Sequence, residues 1–285
     1  MVNRGALFAD KVREFLLEDL GMGDITTDSL VDESMVAEGE IVCKEDGVIA
    51  GLNEASEIFE TLGCTVKPLA KDGDSVTSET VVMKVKGSAR AMLKGERTAL
   101  NILMRMSGIA TATKMAVSEA RKINPKVRIA GTRKTAPGLR YFDKRAVELG
   151  GGDTHRLHLD DCVLIKNNHL RLCDSLADAV KRARERVSFT KKIEVEVETL
   201  DQAVEAAQAG ADIIMLDNMK PEDIAHVVDS LERMGLRKKV LIEASGGITQ
   251  GNIKKYASVG VDVISMGSLT HSAKALNMSM TVVRT

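Results

Sequence analysis

The sequence predicts an α/β protein: a small N-terminal α+β region followed by a (β/α) barrel or a near relative with fewer strands. Three observations carry this. From Val127 onward, short apolar runs alternate with helix-like segments, and strand–helix–strand units of that size build parallel strands with right-handed crossovers. Those runs end in charged or Gly-rich turns, as barrel strands do where their C-terminal ends carry chemistry. From about Met35 to Val85 the texture is instead β-branched, with Asp46-Gly47 and Asp72-Gly-Asp74 as turn signals, which reads as antiparallel strands. A doubly wound open sheet is the alternative for the second half, and no long-period repeat appears beyond the βα cadence.

Taken in order, residues 4–20 read as a helix, and Leu20-Gly-Met-Gly-Asp24-Ile-Thr-Thr-Asp28 as a turn region that ends it. Gly39–Lys44 and Thr80–Val85 read as strands, with a helix over Leu52–Leu62 between them. Residues 88–123 are helical in pattern: Met92, Leu93, Leu100, Leu103 and Met104 form an apolar stripe that excludes Glu96, Arg97 and Arg105. On periodicity alone, Arg97 is a helix-surface residue. Strands follow at about 127–131, 162–166, 192–198, 212–217, 239–245 and 262–267, with helices such as Leu172–Arg186, Leu200–Ala209 and Pro221–Met234 between them.

The 285 residues allow one large or two modest domains, and 44% hydrophobic residues supply a core. No apolar run is long enough to span a bilayer. Met1–Leu20 mixes charges among its apolar residues, an amphipathic pattern unlike a signal peptide. A net charge of -1 gives no support to binding of nucleic acid or anionic membranes, and with no Trp and 2% aromatics there is no stacking platform for single strands. The four cysteines, Cys43, Cys64, Cys162 and Cys173, have no zinc-ligand spacing. They read as reduced thiols of a cytoplasmic protein. The fourteen methionines read as core gap-fillers.

The charge that matters is local. The run Val127-Arg-Ile-Ala130 leads into Gly131-Thr-Arg-Lys-Thr-Ala-Pro-Gly-Leu-Arg140, so a buried strand ends in Arg133 and Lys134. Gly150-Gly-Gly-Asp-Thr-His155-Arg156 follows, and then Cys162-Val-Leu-Ile165 ending in Lys166. Cations at strand ends, held by glycine turns, suit a multiply anionic small molecule, and the Arg fork matches planar carboxylates. In Ile193-Glu-Val-Glu-Val-Glu198 the two-residue period puts Glu194, Glu196 and Glu198 on one face. Such carboxylates are costly to bury unless cations or a metal meet them, and an edge strand with a solvated face is the bland alternative. The next strand ends in Leu216-Asp217-Asn218. Glu243-Ala-Ser245-Gly246-Gly247 and Met266-Gly267-Ser268 then resemble a phosphate cradle, since glycine lets backbone N–H groups approach an anion. Acidic residues beside a phosphate site, here Glu196 and Asp217, hold Mg²⁺ or ribose hydroxyls.

These motifs in this order, with Leu164-Ile-Lys166-Asn-Asn-His169, resemble the quinolinate phosphoribosyltransferase family. The N-terminal Gly23-Asp24-Ile-Thr-Thr27 and Gly95-Glu-Arg97-Thr-Ala-Leu-Asn101 fit as well, so the likeness covers nearly the whole chain. The resemblance implies an N-terminal α/β sandwich domain over 1–106 and an open TIM-like (β/α) barrel of six or seven parallel strands over 107–270. A C-terminal segment, 271–285, would return to the first domain. It implies decarboxylating transfer from phosphoribosyl pyrophosphate to quinolinate, giving nicotinate mononucleotide in NAD biosynthesis. Arg97 of one protomer would enter the partner's site in a homodimer or a dimer-based oligomer. Arg133, Arg156 and Lys166 would hold quinolinate, with Lys134 and His155 beside them. Glu196 and Asp217 would handle Mg²⁺ and the ribose. Ser245, Gly246, Gly247, Gly267 and Ser268 would take the 5-phosphate. Lys134, Lys166, Glu196 and Asp217 are the expected catalytic set.

Two positions depart from the family pattern. Asn167 stands where Asp is usual, and His158 follows the His-Arg pair where many members have a smaller or different residue. Other readings are a molybdate-transport-associated paralogue of the same fold, a phosphate-binding barrel aldolase or isomerase using Lys166, and a non-catalytic sugar-phosphate sensor.

Overall fold

The computed structural model describes residues 4–284. The first three residues of the predicted amphipathic segment and Thr285 lie outside the described residues. The chain divides into two compact units, one of residues 1–111 with 273–285 and one of residues 112–272.

The first unit begins with helix α1 (Arg4–Leu20) and the short α2 (Ile25–Leu30). The stretch read as a bare turn therefore contains a helix. Asp24 caps it, its side chain accepting from Thr27 N–H at 2.9 Å, and six residues are too few to show an apolar period. There follow β1 (Val36–Cys43), β2 (Gly47–Val48), α3 (Leu52–Thr61), β3 (Thr65–Pro68), β4 (Ser75–Val76), β5 (Val81–Ser88) and the long α4 (Ala89–Arg121).

The second unit alternates strand and helix: β6 (Arg128–Ala130), α5 (Arg140–Leu149), β7 (Val163–Ile165), α6 (Asn167–Leu170), α7 (Leu176–Arg186), β8 (Ile193–Val197), α8 (Leu200–Gln208), β9 (Ile213–Asp217), α9 (Pro221–Arg233), β10 (Leu241–Ser245), α10 (Ile253–Ala257), β11 (Val263–Ser265) and α11 (Ser268–His271). A last strand, β12 (Met278–Arg284), pairs antiparallel with β1 in the sheet β12-β1-β5-β3 of the first unit. The helix expected over 172–186 starts later, at Leu176, because Ser175 caps it by accepting from Asp178 N–H at 3.0 Å.

The barrel strands run parallel in the order β6-β11-β10-β9-β8-β7. Alternation decides which residues do what. One set, Ile129, Ile165, Val195, Ile214, Ile242 and Ile264, is buried against helix residues such as Val180, Ala203, Ile224, Val227, Leu231 and Ile253. The other set is polar: Glu194 and Glu196, then Asp217, Glu243, Ser245 and Ser265. The ladder sets Asp217 beside Ser245, and Met215 between Glu196 and Glu243. Strand β8 lies between β7 and β9, so the edge-strand reading of its glutamates is set aside. Glu198 lies just past its end and is exposed.

The barrel is open between its end strands β6 and β7. The segment around Asp153 lies along the free side of β6. Asp153 N–H donates to Ile129 O at 2.7 Å, Gly131 N–H donates to Asp153 O at 2.9 Å, and Ala130 and Asp153 form a parallel bridge. This segment leads directly into His155 and Arg156.

Candidate active site

A cavity of about 450 Å³ lies at the C-terminal ends of the barrel strands. Its cationic wall is Arg133, Lys134, His155, Arg156 and Lys166. Its acidic wall contains Glu196, Asp217 and Glu243, and the Ser245–Gly247 turn forms a third side. The cations expected from strand ends thus converge although they come from three separate segments.

Arg133 is half-buried, and its Nε is buried without a hydrogen-bond partner. Burial, and then repulsion by Arg156 and Arg140, hold its pKa below the usual arginine value. Arg133, Arg140 and Arg156 repel one another across this wall, an unfavourable arrangement that an anion relieves. Lys134 is exposed, its carbonyl accepting from Thr270 Oγ1 at 2.8 Å. Lys166 Nζ lies 3.6 Å from Glu196 Oε2. Burial raises the Glu196 pKa; Lys166 opposes that and Asp217 adds to it.

His155 sits at φ +52°, a left-handed conformation that non-glycine residues rarely adopt. Its N–H is held by Asp153 Oδ1 at 2.7 Å, and its Nδ1 accepts from Arg156 N–H at 2.7 Å. Its Nε2 therefore turns to two buried carboxylates, Glu243 at 3.1 Å and Glu194 at 3.5 Å. Burial alone would lower the His155 pKa, but Glu194 and Glu243 outweigh it and push it to about 10. Burial also raises the Glu194 carboxyl, His155 opposing it. With Nδ1 taken by a backbone donor, the proton these groups retain lies on the Nε2–carboxylate side. The three form the one cluster of metal-ligand type among the described residues, with both carboxylates facing His155 Nε2.

Gly246 has φ +90°, and a Cβ there would stand 2.3 Å from Asn218 Oδ1 and 2.7 Å from Asn218 N. Only glycine lets the two turns approach. Gly246→Ala is expected to displace the Asn218 turn and to cost about 1–3 kcal/mol, read as a lower Tm in a thermal melt.

Three expected residues lie outside the cavity wall. Gly267 packs against Lys134, whose Cδ would be 3.0 Å from a Cβ there, and Ser268 Oγ donates to Ile248 O at 3.4 Å. Arg97 is exposed on α4 in the first unit. The sequence reading did not single out Ser265, whose buried Oγ has no hydrogen-bond partner and which lines the cavity. The two-residue period from Val263 was the available signal. Thr132 and Asn218 line the cavity as well. Asn167 donates to Glu198 Oε1 at 2.7 Å, so an Asp at that position would set its carboxylate against that of Glu198. His158 sits in the following loop, its N–H on Asp161 Oδ2 at 3.0 Å.

The comparisons with known proteins agree over the whole chain. Family models described as the N-terminal and C-terminal domains of quinolinate phosphoribosyl transferase match residues 24–107 and 109–281. A probable nicotinate-nucleotide pyrophosphorylase [carboxylating] of Methanothermobacter thermautotrophicus is 49% identical over 273 residues, 96% of this chain and 98% of that protein. A protein of the same name from Bacillus subtilis is 42% identical, over 95% and 92%. The crystal structure of NadC from Streptococcus pyogenes superposes with a TM-score of 0.92 at 38% identity, covering 100% of this chain and 99% of that one.

Proposed function

The chain belongs to the quinolinate phosphoribosyl transferase family, and we propose that its barrel cavity is where quinolinate meets phosphoribosyl pyrophosphate. The enzyme transfers the phosphoribosyl group to quinolinate with loss of CO₂, giving nicotinate mononucleotide and pyrophosphate in NAD biosynthesis. The observation that carries the site assignment is the convergence of Arg133, Lys134, His155, Arg156 and Lys166 on one wall, opposite Glu196, Asp217 and a glycine turn.

In this reading Arg133, Arg156 and Lys166 bind the two quinolinate carboxylates, with Lys134 and His155 beside them. Backbone N–H groups of Ser245–Gly247, supported by Gly267 and Ser268, take the 5-phosphate. Glu196 and Asp217 hold the ribose hydroxyls. They are also a hard-oxygen donor pair, suited to Mg²⁺ directly or through water. Bound there, Mg²⁺ would neutralise charge on the leaving pyrophosphate.

The side chains position the pyridine nitrogen against ribose C1, and the C–N bond forms as the C1–oxygen bond to pyrophosphate breaks. The ring nitrogen is now cationic and accepts the electron pair released when the adjacent carboxylate departs as CO₂. The C2 carbanion then takes a proton, with Lys134 and Lys166 as the flanking ammonium groups.

Release of CO₂ from carboxyl-labelled quinolinate tests the assignment. Release that requires phosphoribosyl pyrophosphate is expected, and nicotinate should not serve as substrate. Absence of release would turn the reading to the paralogue or the sensor.

We place the protein in the cytoplasm, in keeping with its four free cysteines. No helix of the described residues is long and apolar enough to cross a membrane. The proposed assembly is a homodimer, or a higher oligomer built on it, with Arg97 completing the partner's site. Leu17, Met22, Ile25 and Leu30 of the first unit are at least 69% exposed, an apolar set suited to such an interface. Arg97→Ala and Arg133→Ala would each lose nearly all activity at quinolinate concentrations near the wild-type KM. Unfolding and refolding them together is expected to restore about a quarter of wild-type activity, because half the dimers are mixed and one of their two sites is intact. No recovery would place Arg97 outside a shared site.

A further inference from the structure

Lys144, on α5, is 1% exposed and does not line the cavity. Its amine donates to the carbonyl of Thr154. A Cβ on Gly131 would lie 3.8 Å from the same nitrogen, so the amine sits beneath both the end of β6 and the segment that borders the open seam. That segment passes from Asp153, held on β6, through Thr154 to the left-handed turn at His155 and on to Arg156. Lys144 anchors the one residue of this path that lies between the pairing with β6 and the strained turn.

The charged groups that face Lys144 are Arg140 at the start of its own helix, Asp153 and Arg156 of the seam segment, and Arg133 after β6. Burial and then Arg140 lower the amine, Asp153 opposes, and Arg133 and Arg156 lower it further, to about 8. A neutral side chain of similar length would fill the space without this penalty. An anion on Arg133 and Arg156 would offset their part of the repulsion and favour the protonated amine.

We propose that Lys144 is a positioning residue that clamps the seam segment beneath His155 and Arg156 and takes up a proton when the dicarboxylate binds. This rests on the assignment of Arg133 and Arg156 to quinolinate. Lys144 touches no substrate. Its charge reaches the ligand through the two arginines, and its hydrogen bond reaches it through the loop.

The test is calorimetric titration of quinolinate into the protein at pH 8, in HEPES and in Tris. These buffers differ in ionisation enthalpy and so report protons exchanged. The wild type is expected to take up a measurable fraction of a proton per site, at most about half, since an amine near its pKa is about half-charged before binding. Lys144→Arg carries a permanent charge and is expected to bind with uptake near zero. Lys144→Met is expected to raise the quinolinate KM about tenfold with the phosphoribosyl pyrophosphate KM unchanged. It should also lack the fall in kcat/KM for quinolinate above pH 8 that is expected of the wild type. Equal uptake in Lys144→Arg and wild type would overturn the inference while leaving the ligand assignment standing. If Lys144→Arg does not fold, a wild-type pH profile retained in Lys144→Met overturns it equally. Quinolinate that fails to bind the wild type would overturn the ligand assignment, and this inference with it.

Discussion

Arg133→Ala is expected to raise the quinolinate KM by about a hundredfold or more, on the order of 3 kcal/mol, while the KM for phosphoribosyl pyrophosphate changes little. Arg133 is half-buried with Nε unpartnered, and among the described residues no carboxylate contributes to the shift of its guanidinium. Bidentate pairing with a planar carboxylate is the contact that geometry offers. Removing it also leaves that carboxylate beside a partly dehydrated wall, which adds the cost of an unpaired charge. Lys at the same position would restore the charge without the fork. Arg133→Lys is therefore expected to recover only part of the binding. Steady-state kinetics with each substrate varied decide the matter, and equal effects on both KM values would remove Arg133 from the quinolinate site.

Glu243→Ala is expected to lower stability by about 3–5 kcal/mol near neutral pH, the cost of breaking a buried charged network. Glu243 is 1% exposed and Glu194 is fully buried, and both carboxylates address the same His155 nitrogen. Taking one away leaves His155 less compensated and opens a void under the cavity. The pH dependence gives a sharper sign. His155 is raised from 6.5 to about 10, so the folded state binds more protons than the unfolded state between those values. The stabilisation is fully present below about pH 6.5 and is lost as pH rises through about 10. Thermal melts from pH 6 to 10.5 should show wild-type Tm falling on the alkaline side. Glu243→Ala should start lower and fall less, so that the two converge. Parallel curves would mean that His155 does not hold its proton through Glu243. The turn at His155 is carried by the same segment as Arg156, so the variant should also bind quinolinate more weakly.

The local signals were enough for much of the fold. Apolar runs bounded by glycine and charge located the barrel strands to within a few residues, because a strand buried on one face by helices must alternate. The same alternation made Glu196 and Asp217 legible as inward residues. Arg133, Lys134 and Lys166 were legible because a cation directly after an apolar run has nowhere to go except the mouth of the barrel. Short elements were not legible. The helix Ile25–Leu30 and the helix Asn167–Leu170 depend on single caps and neighbours, and their six and four residues are too few for a period.

The pairing of distant groups was decided only by the tertiary structure. His155 meets Glu243 across 88 residues of chain, and nothing local in Glu194 or Glu243 distinguishes a partner of histidine from a ligand of substrate. Lys144 stands in Arg140-Tyr-Phe-Asp-Lys-Arg145, where nothing local marks it as buried. It is buried because β6 and the segment that borders the open seam lie over it. Sequence determined which residues are costly to bury, since that cost belongs to the side chain itself. Which group offsets the cost is set by where strands β6, β8 and β10 bring their inward faces together, and that is a property of the curvature of the whole sheet.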